Sequence, residues 1–311
     1  MLRRVSGTSL SPVFRSAIDP PESIMLFSTD ELNAHLNDPD WVVFDCRHDL
    51  ADTGKGERVY GEGHIPGSFL ARVDGDLSGK KGERGGRHPL PDRSAFLGFL
   101  ARCGVTQAST IVAYDDAGGF FAGRLWWMMS RWLGHRNVGL LDGGITKWKA
   151  EGRNITTVAP SPRVVIPMTN EADFRATASA DELMSHLSDR KLLVVDARSG
   201  DRYRGEVEPI DRVAGHIPGA LNRFFKANLN ADMTLRPREV LRQEFELLIK
   251  PRPPTSVVHH CGSGITSCVN LFAMEYSGLS GSRLYVGSWS DWVADPSRPI
   301  AIGDSPTRGK E

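Results

Sequence analysis

Nucleophilic chemistry is concentrated in one stretch of this chain, Ser256-Val257-Val258-His259-His260-Cys261-Gly262-Ser263-Gly264-Ile265-Thr266-Ser267. A β-branched apolar run stops at a cysteine, two glycines follow within three residues, and an apolar segment of helical character, Cys268 to Tyr276, begins just beyond. The pattern predicts a strand, a tight loop and a helix. In such a turn the backbone N–H groups of the loop and of the helix N-terminus converge on whatever the cysteine carries, and they favour an anion. A thiolate held there has its pKa lowered, so Cys261 is expected to be nucleophilic at neutral pH. The alternative is a buried cysteine acting as a small hydrophobe, the commoner fate of an unpaired one. Ser263 carries its hydroxyl inside the same loop. His259 and His260 alternate faces on the strand, so at most one of them can approach the nucleophile. Cys268, further along the helix, is expected to be buried, with a resolving thiol as its alternative role.

The elements that must position this loop are written as an internal repeat. Ser28-Thr29-Asp30-Glu31-Leu32 returns as Ser179-Ala180-Asp181-Glu182-Leu183, and each copy carries the Ser-x-x-Glu pattern of a capping box at a helix start. Val42-Val43-Phe44-Asp45-Cys46-Arg47 returns as Leu193-Val194-Val195-Asp196-Ala197-Arg198, the pattern of buried parallel strands ending in a polar pair. Gly63-His64-Ile65-Pro66-Gly67 returns as Gly215-His216-Ile217-Pro218-Gly219, a turn, and Gly143 to Trp148 returns as Gly287 to Trp292. Ile111-Val112-Ala113-Tyr114-Asp115 then lies over Val257-Val258-His259-His260-Cys261. One copy has a sulfur nucleophile and the other has an aspartate in its place. Strands alternating with amphipathic segments such as Ser94 to Cys103 and Leu125 to Leu133 imply α/β units, each a parallel sheet with helices on both faces. In such sheets ligands sit beyond the carboxyl ends of the strands, where Cys261 falls. The Trp126, Trp127 and Trp132 cluster reads as domain-packing core.

Composition narrows the function classes. The chain has 311 residues, 40% of them hydrophobic and 24% charged, enough for two ordinary domains. Lys plus Arg equals Asp plus Glu at 38 each, so no overall charge favours nucleic acid or an anionic membrane as partner. No apolar run is long enough to span a bilayer. Four cysteines without a Cys-x-x-Cys argue against a disulfide framework or structural zinc and for a reducing compartment. No cofactor or metal is expected. Met1 to Ala17 holds Arg3, Arg4 and Arg15 and no acid, which fits a mitochondrial presequence, a bacterial extension or an upstream start before Met25. A cytoplasmic location is expected, with the mitochondrion as the alternative. The expected organisation is a flexible extension over 1–23, a domain without the cysteine over 24–155, a proline-containing linker over 156–178, the cysteine-bearing domain over 179–302 and a flexible tail over 303–311.

Taken together, Asp-x-Arg followed by Gly-His-Ile-Pro-Gly in each half, Cys261-Gly262-Ser263-Gly264-Ile265-Thr266, and the Gly-x-x-x-x-Trp stretch near each domain's end resemble the tandem-domain rhodaneses over roughly 26–300. The loop is similar to the Cys-Gly-Ser-Gly-Val-Thr form of 3-mercaptopyruvate sulfurtransferases, with Ile265 replacing valine. Thiosulfate-preferring members usually carry Arg and Lys directly after the cysteine. The resemblance implies two rhodanese-like domains and sulfur transfer through a Cys261 persulfide, from 3-mercaptopyruvate, or alternatively thiosulfate, to cyanide or a thiol such as thioredoxin. It implies that Gly262, Ser263, Gly264, Ile265 and Thr266 surround the bound donor, and that Arg202 is the first substrate-binding arginine, a planar fork suited to a carboxylate. The second arginine, usually in a Glu-Pro-Arg, is missing from Glu208-Pro209-Ile210, and Arg212 is the nearest candidate. His64 matches a histidine that some mercaptopyruvate enzymes place opposite the cysteine, with Asp49 or Asp52 as partner; the alternative is an imidazole that stabilises the turn. Arg198 is expected to pair with acids at the strand end. A phosphatase of the related cell-cycle type would place an arginine at position 267, where this chain has Ser267. A non-catalytic binding module remains the rival from a different class.

Overall fold

The computed structural model describes residues 24–82 and 85–304. The extension expected over 1–23, with its presequence-like composition, and positions 305–311 of the expected tail lie outside the described residues.

The first half runs β1 (Met25–Phe27), α1 (Thr29–Ala34), β2 (Trp41–Asp45), α2 (Lys55–Glu62), β3 (Phe69–Leu70), α3 (Arg93–Arg102), β4 (Thr110–Tyr114), α4 (Ala122–Trp127), β5 (Val138–Leu141) and α5 (Gly144–Ala150). Its five strands form a parallel sheet in the order β1-β5-β4-β2-β3. The apolar run in β2 is buried on both faces, as a parallel strand between helices must be. Val42 and Phe44 face α3 and α4 in one core, while Val43 faces Leu32 of α1 and Ile145 and Trp148 of α5 in another.

The second half repeats the plan with α6 (Ala180–Ser185), β6 (Leu193–Asp196), α7 (Gly200–Arg204), β7 (Leu221–Asn222), α8 (Arg238–Ile249), β8 (Val257–His260), α9 (Ser267–Tyr276), β9 (Arg283–Leu284) and α10 (Ser288–Trp292). Its sheet is parallel in the order β7-β6-β8-β9. The counterpart of β1 is reduced to a bridge between Thr177 and Leu284. Val194 and Val258 pack toward α6 and α10, and Leu193, Val195 and Val257 toward α8 and α9. The capping box is complete at Ser28 and Glu31 but only half made at Ser179, because the Glu182 carboxylate turns to Arg283 at 2.7 Å. The carboxylate gains more from that charge-assisted pairing than from a backbone N–H.

Between the halves, residues 156–178 hold no long element. Arg163 and Val165 donate backbone bonds to Arg102 and Ala101 of the first half. The halves meet through α4 and α9, where Trp126 lies edge-on to Phe272 at 4.9 Å and both belong to one core that crosses the boundary. Trp126, Trp127 and Trp132 are all buried in that core.

Candidate active site

In each half the strand-end Asp-x-Arg pair closes on itself and then on the Gly-His-Ile-Pro-Gly turn. Arg47 forks onto Asp45 and donates to Gly63 O at 2.7 Å; Arg198 forks onto Asp196 and donates to Gly215 O at 2.6 Å. Arg198 also reaches Glu208 at 3.2 Å. Satisfying two buried charges this way fixes the crossover that follows the strand.

The histidines of the two turns behave alike, which overturns the catalytic assignment of His64. Its Nδ1 lies 2.8 Å from Tyr60 O, its Nε2 lies 3.1 Å from Val158 O, and its ring stacks on Tyr60 at 3.8 Å. His216 bonds Tyr203 O and stacks on Tyr203 at the same distance. With both ring nitrogens occupied by carbonyls, His64 holds the turn. Asp52 pairs with Arg58 and Asp49 with Lys55, and neither is its partner.

Cys261 follows β8 directly and is 2% exposed. Its carbonyl accepts from Trp289 N at 3.0 Å, its own N–H donates to Ser288 Oγ at 3.1 Å, and Gly262 O accepts from Ser290 N at 2.9 Å, so the start of α10 grips the loop from behind. Gly264 has φ +76°, and a Cβ there would overlap the Val286 carbonyl oxygen. Burial pushes the Cys261 thiol up, but the hydroxyls of Thr266 and Ser267 and the N–H groups of Ser263 and Ser267 outweigh it, and the net shift is downward. Ser267 Oγ stands 3.5 Å from the sulfur. Ile265 points its side chain away, into the core shared by the two halves. Cys268 is wholly buried against Gly264 O, and burial pushes its thiol up to about 12.

The first half shows what such a cradle holds. Asp115 is 1% exposed, and its carboxylate accepts from the N–H groups of Ala117, Gly119, Phe121 and Ala122 at 2.8–3.0 Å. Asp115 O accepts from Ile145 N just as Cys261 O accepts from Trp289 N. The same turn therefore encloses a fixed carboxylate in one half and a thiol in the other.

Arg202 lies near the loop, with its guanidinium nitrogens 3.6 and 3.9 Å from where a Cβ of residue 262 would stand. Arg212 does not: its Nε and Nη2 both donate to Val293 O at the end of α10. Arg212 thus faces the end of α10, which corrects its expected role. His259 contacts Met274 Sδ at 3.1 Å, and His260 donates to Cys261 O at 3.1 Å.

Two site groups come from the first half and were not singled out in the sequence. His88 Nδ1 lies 2.7 Å from Ser263 Oγ, and its Nε2 lies 3.1 Å from Asp74 Oδ1. Because a carboxylate only accepts, Nε2 carries the proton and Nδ1 accepts from the serine hydroxyl. Burial lowers the His88 pKa to about 4, against the pull of Asp74, so the ring is neutral at pH 7. Arg87 also enters, with Nη2 2.8 Å from the Cβ position of residue 262. Both belong to the segment Gly85-Gly86-Arg87-His88 between β3 and α3, at the carboxyl edge of the first sheet; its one sequence signal is a histidine in a glycine-rich loop. Arg124 of α4, fully buried, ties this segment to the nucleophile loop by donating to His88 O and Gly264 O at 3.2 Å each. Among the described residues no cluster of three or more His, Cys, Asp or Glu is placed to hold a metal, and no helix is long and apolar enough to cross a membrane.

Comparison with known proteins agrees with this geometry. The Rhodanese-like domain family matches twice, over residues 28–151 and 179–295. A Pseudomonas aeruginosa protein named "Probable 3-mercaptopyruvate sulfurtransferase" is 46% identical over 285 residues, 91% of this chain and 99% of that one. The "Thiosulfate sulfurtransferase" of Azotobacter vinelandii is 30% identical over 88% of this chain and 95% of its own. The solved structure of the 3-mercaptopyruvate sulfurtransferase from Leishmania major superposes with a TM-score of 0.78 at 29% identity, covering 90% of this chain and 76% of that one. With two matched copies, parallel sheets in both halves and a cysteine of lowered pKa at a strand end in the second, the chain belongs to the rhodanese family.

Proposed function

We propose that this protein is a sulfurtransferase that carries sulfur as a Cys261 persulfide, with 3-mercaptopyruvate as its preferred donor and cyanide or a thiol as acceptor. The observation that carries this is a thiol whose pKa is lowered by hydroxyl and N–H donors in a loop with no lysine or arginine, beside a Ser263–His88–Asp74 relay. The Cys261 thiolate attacks the donor sulfur, the donor C–S bond breaks, and its electron pair leaves on carbon as the enolate of pyruvate. Ser263, backed by the neutral His88, takes the proton of the donor thiol and returns it to that carbon, which completes pyruvate and leaves the persulfide. The cradle N–H groups hold the anionic sulfur before and after transfer, as an oxyanion hole holds a developing charge. A second thiolate, on a small thiol or on thioredoxin, then takes the outer sulfur and restores Cys261. Four buried free cysteines support a reducing compartment, the cytoplasm or alternatively the mitochondrion.

Thiosulfate is the second donor to weigh, since the Azotobacter vinelandii relative is named for it. Intact-mass spectrometry after incubation with each donor, followed by kcat/KM with cyanide, decides between them. The expected result is a gain of one sulfur atom, lost in Cys261→Ser, and a higher kcat/KM for 3-mercaptopyruvate. A clear thiosulfate preference would defeat the donor assignment. Failure of iodoacetamide to alkylate Cys261 near neutral pH would favour the binding module instead.

A further inference from the structure

Asp74 does not face His88 alone. Its Oδ1 lies 3.1 Å from His88 Nε2, and its Oδ2 lies 3.6 Å from Nε2 of a second imidazole, His48. His48 follows Arg47 at the end of β2, and only the first half has it: after the matching Arg198 the second half has Ser199. Its backbone is fixed by the fork of Arg47 on Asp45 and by Gly56 at the start of α2, where a Cβ would overlap Arg47 O. The residue is 5% exposed, and its ring meets Phe121 edge-on at 5.2 Å. Its Nε2 is sealed from solvent and makes no hydrogen bond. The Asp74 side chain, by contrast, is 42% exposed, and among the described residues the two histidines are its only side-chain partners. An exposed carboxylate held at one oxygen is free to turn into water. Burial lowers the His48 pKa, against the pull of Asp74, so this ring too is neutral at pH 7. The nitrogen that faces a carboxylate is the one that carries the proton, because a lone pair there would be repelled. A buried N–H without a partner is costly, and the Asp74 oxygen is the acceptor at hand. Closing the 3.6 Å gap to about 3 Å completes a charge-assisted bond.

We infer that His48 is a positioning residue of the relay: its Nε2 N–H holds Oδ2 of Asp74, which keeps Oδ1 on His88 and the His88 proton off the nitrogen that faces Ser263. The inference deepens the sulfur-transfer reading above and rests on it for the reaction, though not for the contact. With Oδ2 released, Asp74 can turn away from His88. The His88 proton is then free to move to Nδ1, the nitrogen that must accept from Ser263. Such a shift stops the relay without touching Cys261, whose cradle is built by the second half. Through Asp74 the two imidazoles act as one unit, so the effects of removing them or the carboxylate are not additive.

The test uses the full chain labelled with [15N]histidine, the His88 and His48 signals being assigned by their loss in His88→Gln and His48→Gln. The wild type should show both rings protonated at Nε2, and the His48 Nε2 signal should shift in Asp74→Ala. His48→Phe keeps the ring against Phe121 but removes the N–H, and it should move the His88 Nδ1 signal toward the protonated form. His48→Gln keeps an N–H donor and should restore the wild-type His88 signal. In pyruvate release from 3-mercaptopyruvate, His48→Phe should lower kcat about ten-fold, part of what a general base contributes, with KM and Cys261 alkylation within about two-fold of wild type. In an Asp74→Ala background the same substitution should change kcat by less than about two-fold. An unchanged His88 signal in His48→Phe would overturn the inference, as would a His48 signal indifferent to Asp74→Ala. A loss in His48→Gln as deep as in His48→Phe would overturn it too, since packing alone would then explain the residue. No pyruvate from the wild type would remove the donor assignment, while the histidine signals still decide the role of His48.

Discussion

The pKa of the Cys261 thiol is lowered because two hydroxyls and two N–H groups outweigh the penalty of burying a thiolate. Removing a donor therefore raises its pKa and depletes the thiolate at neutral pH. Ser267→Ala should slow alkylation of Cys261 at pH 7 roughly ten-fold, as expected for a charged hydrogen bond worth about 1.5–3 kcal/mol that is partly replaced by water, and should move the midpoint of the alkylation pH profile upward. His88 acts on the other partner. With its pKa near 4 it stays neutral across the physiological range and can accept a proton through Ser263. His88→Gln should lower kcat with 3-mercaptopyruvate by about 10²-fold, the usual scale of a lost general base, while leaving the rate of Cys261 alkylation near that of wild type. At this scale the sequence was readable where one segment carries both the cysteine and the loop that surrounds it. It misled where a repeated motif offered a histidine, because His64 and His216 look alike for the structural reason that each anchors a turn.

At the scale of elements, β4 and β8 each end in a turn whose N–H groups converge on one side chain, and the first residue of that turn decides what the side chain is. Asp115 is a carboxyl bound by four N–H donors, which burial nonetheless pushes up, whereas Cys261 in the matching turn is a thiol whose pKa the donors bring down. The turn after Cys261 depends on Gly264, whose left-handed φ and close approach to Val286 O leave no room for a methyl group. Gly264→Ala should cost more than about 2 kcal/mol in urea unfolding and abolish rapid alkylation, because the loop N–H groups can no longer converge. Asp115→Asn should cost stability through the weakened cradle in the first half, with Cys261 alkylation retained at pH 7 in the folded fraction. Equal losses of stability and reactivity in Asp115→Asn would mean that the two cradles are coupled more tightly than the shared core implies.

The whole molecule places Cys261 and Ser263 in one half and His88 with Asp74 in the other, so the proposed sulfur transfer requires the halves to stay docked. A buried ion pair lies on that boundary. Arg131 Nε stands 2.9 Å from Glu275 on α9, and burial raises the Glu275 carboxyl to about 7 despite the arginine. Its ordinary value is 4.5, so between those two pH values the folded chain keeps a proton that the unfolded chain releases. Stability from this site is therefore fully present below about pH 4.5 and falls as pH rises to about 7, by a total of about 3 kcal/mol. Thermal melts of wild type and Glu275→Gln across pH 5 to 8 check it: the difference between them should shift in favour of the variant as pH rises, and a constant difference would contradict the raised pKa.

Taken by itself, the amino-acid sequence determined the α/β plan, the doubled unit and the place of the candidate nucleophile. Those features are local: hydrophobic period, glycine spacing and a cysteine at a strand end act within a dozen residues of one another. Tertiary structure alone decided that His88, Asp74 and Arg87 reach the site and that Arg212 turns to α10. Such groups are brought together by the packing of α4 on α9 and by Arg124 tying two loops across the boundary. No spacing along the chain encodes a distance that arises only when two separately folded sheets bury one common core.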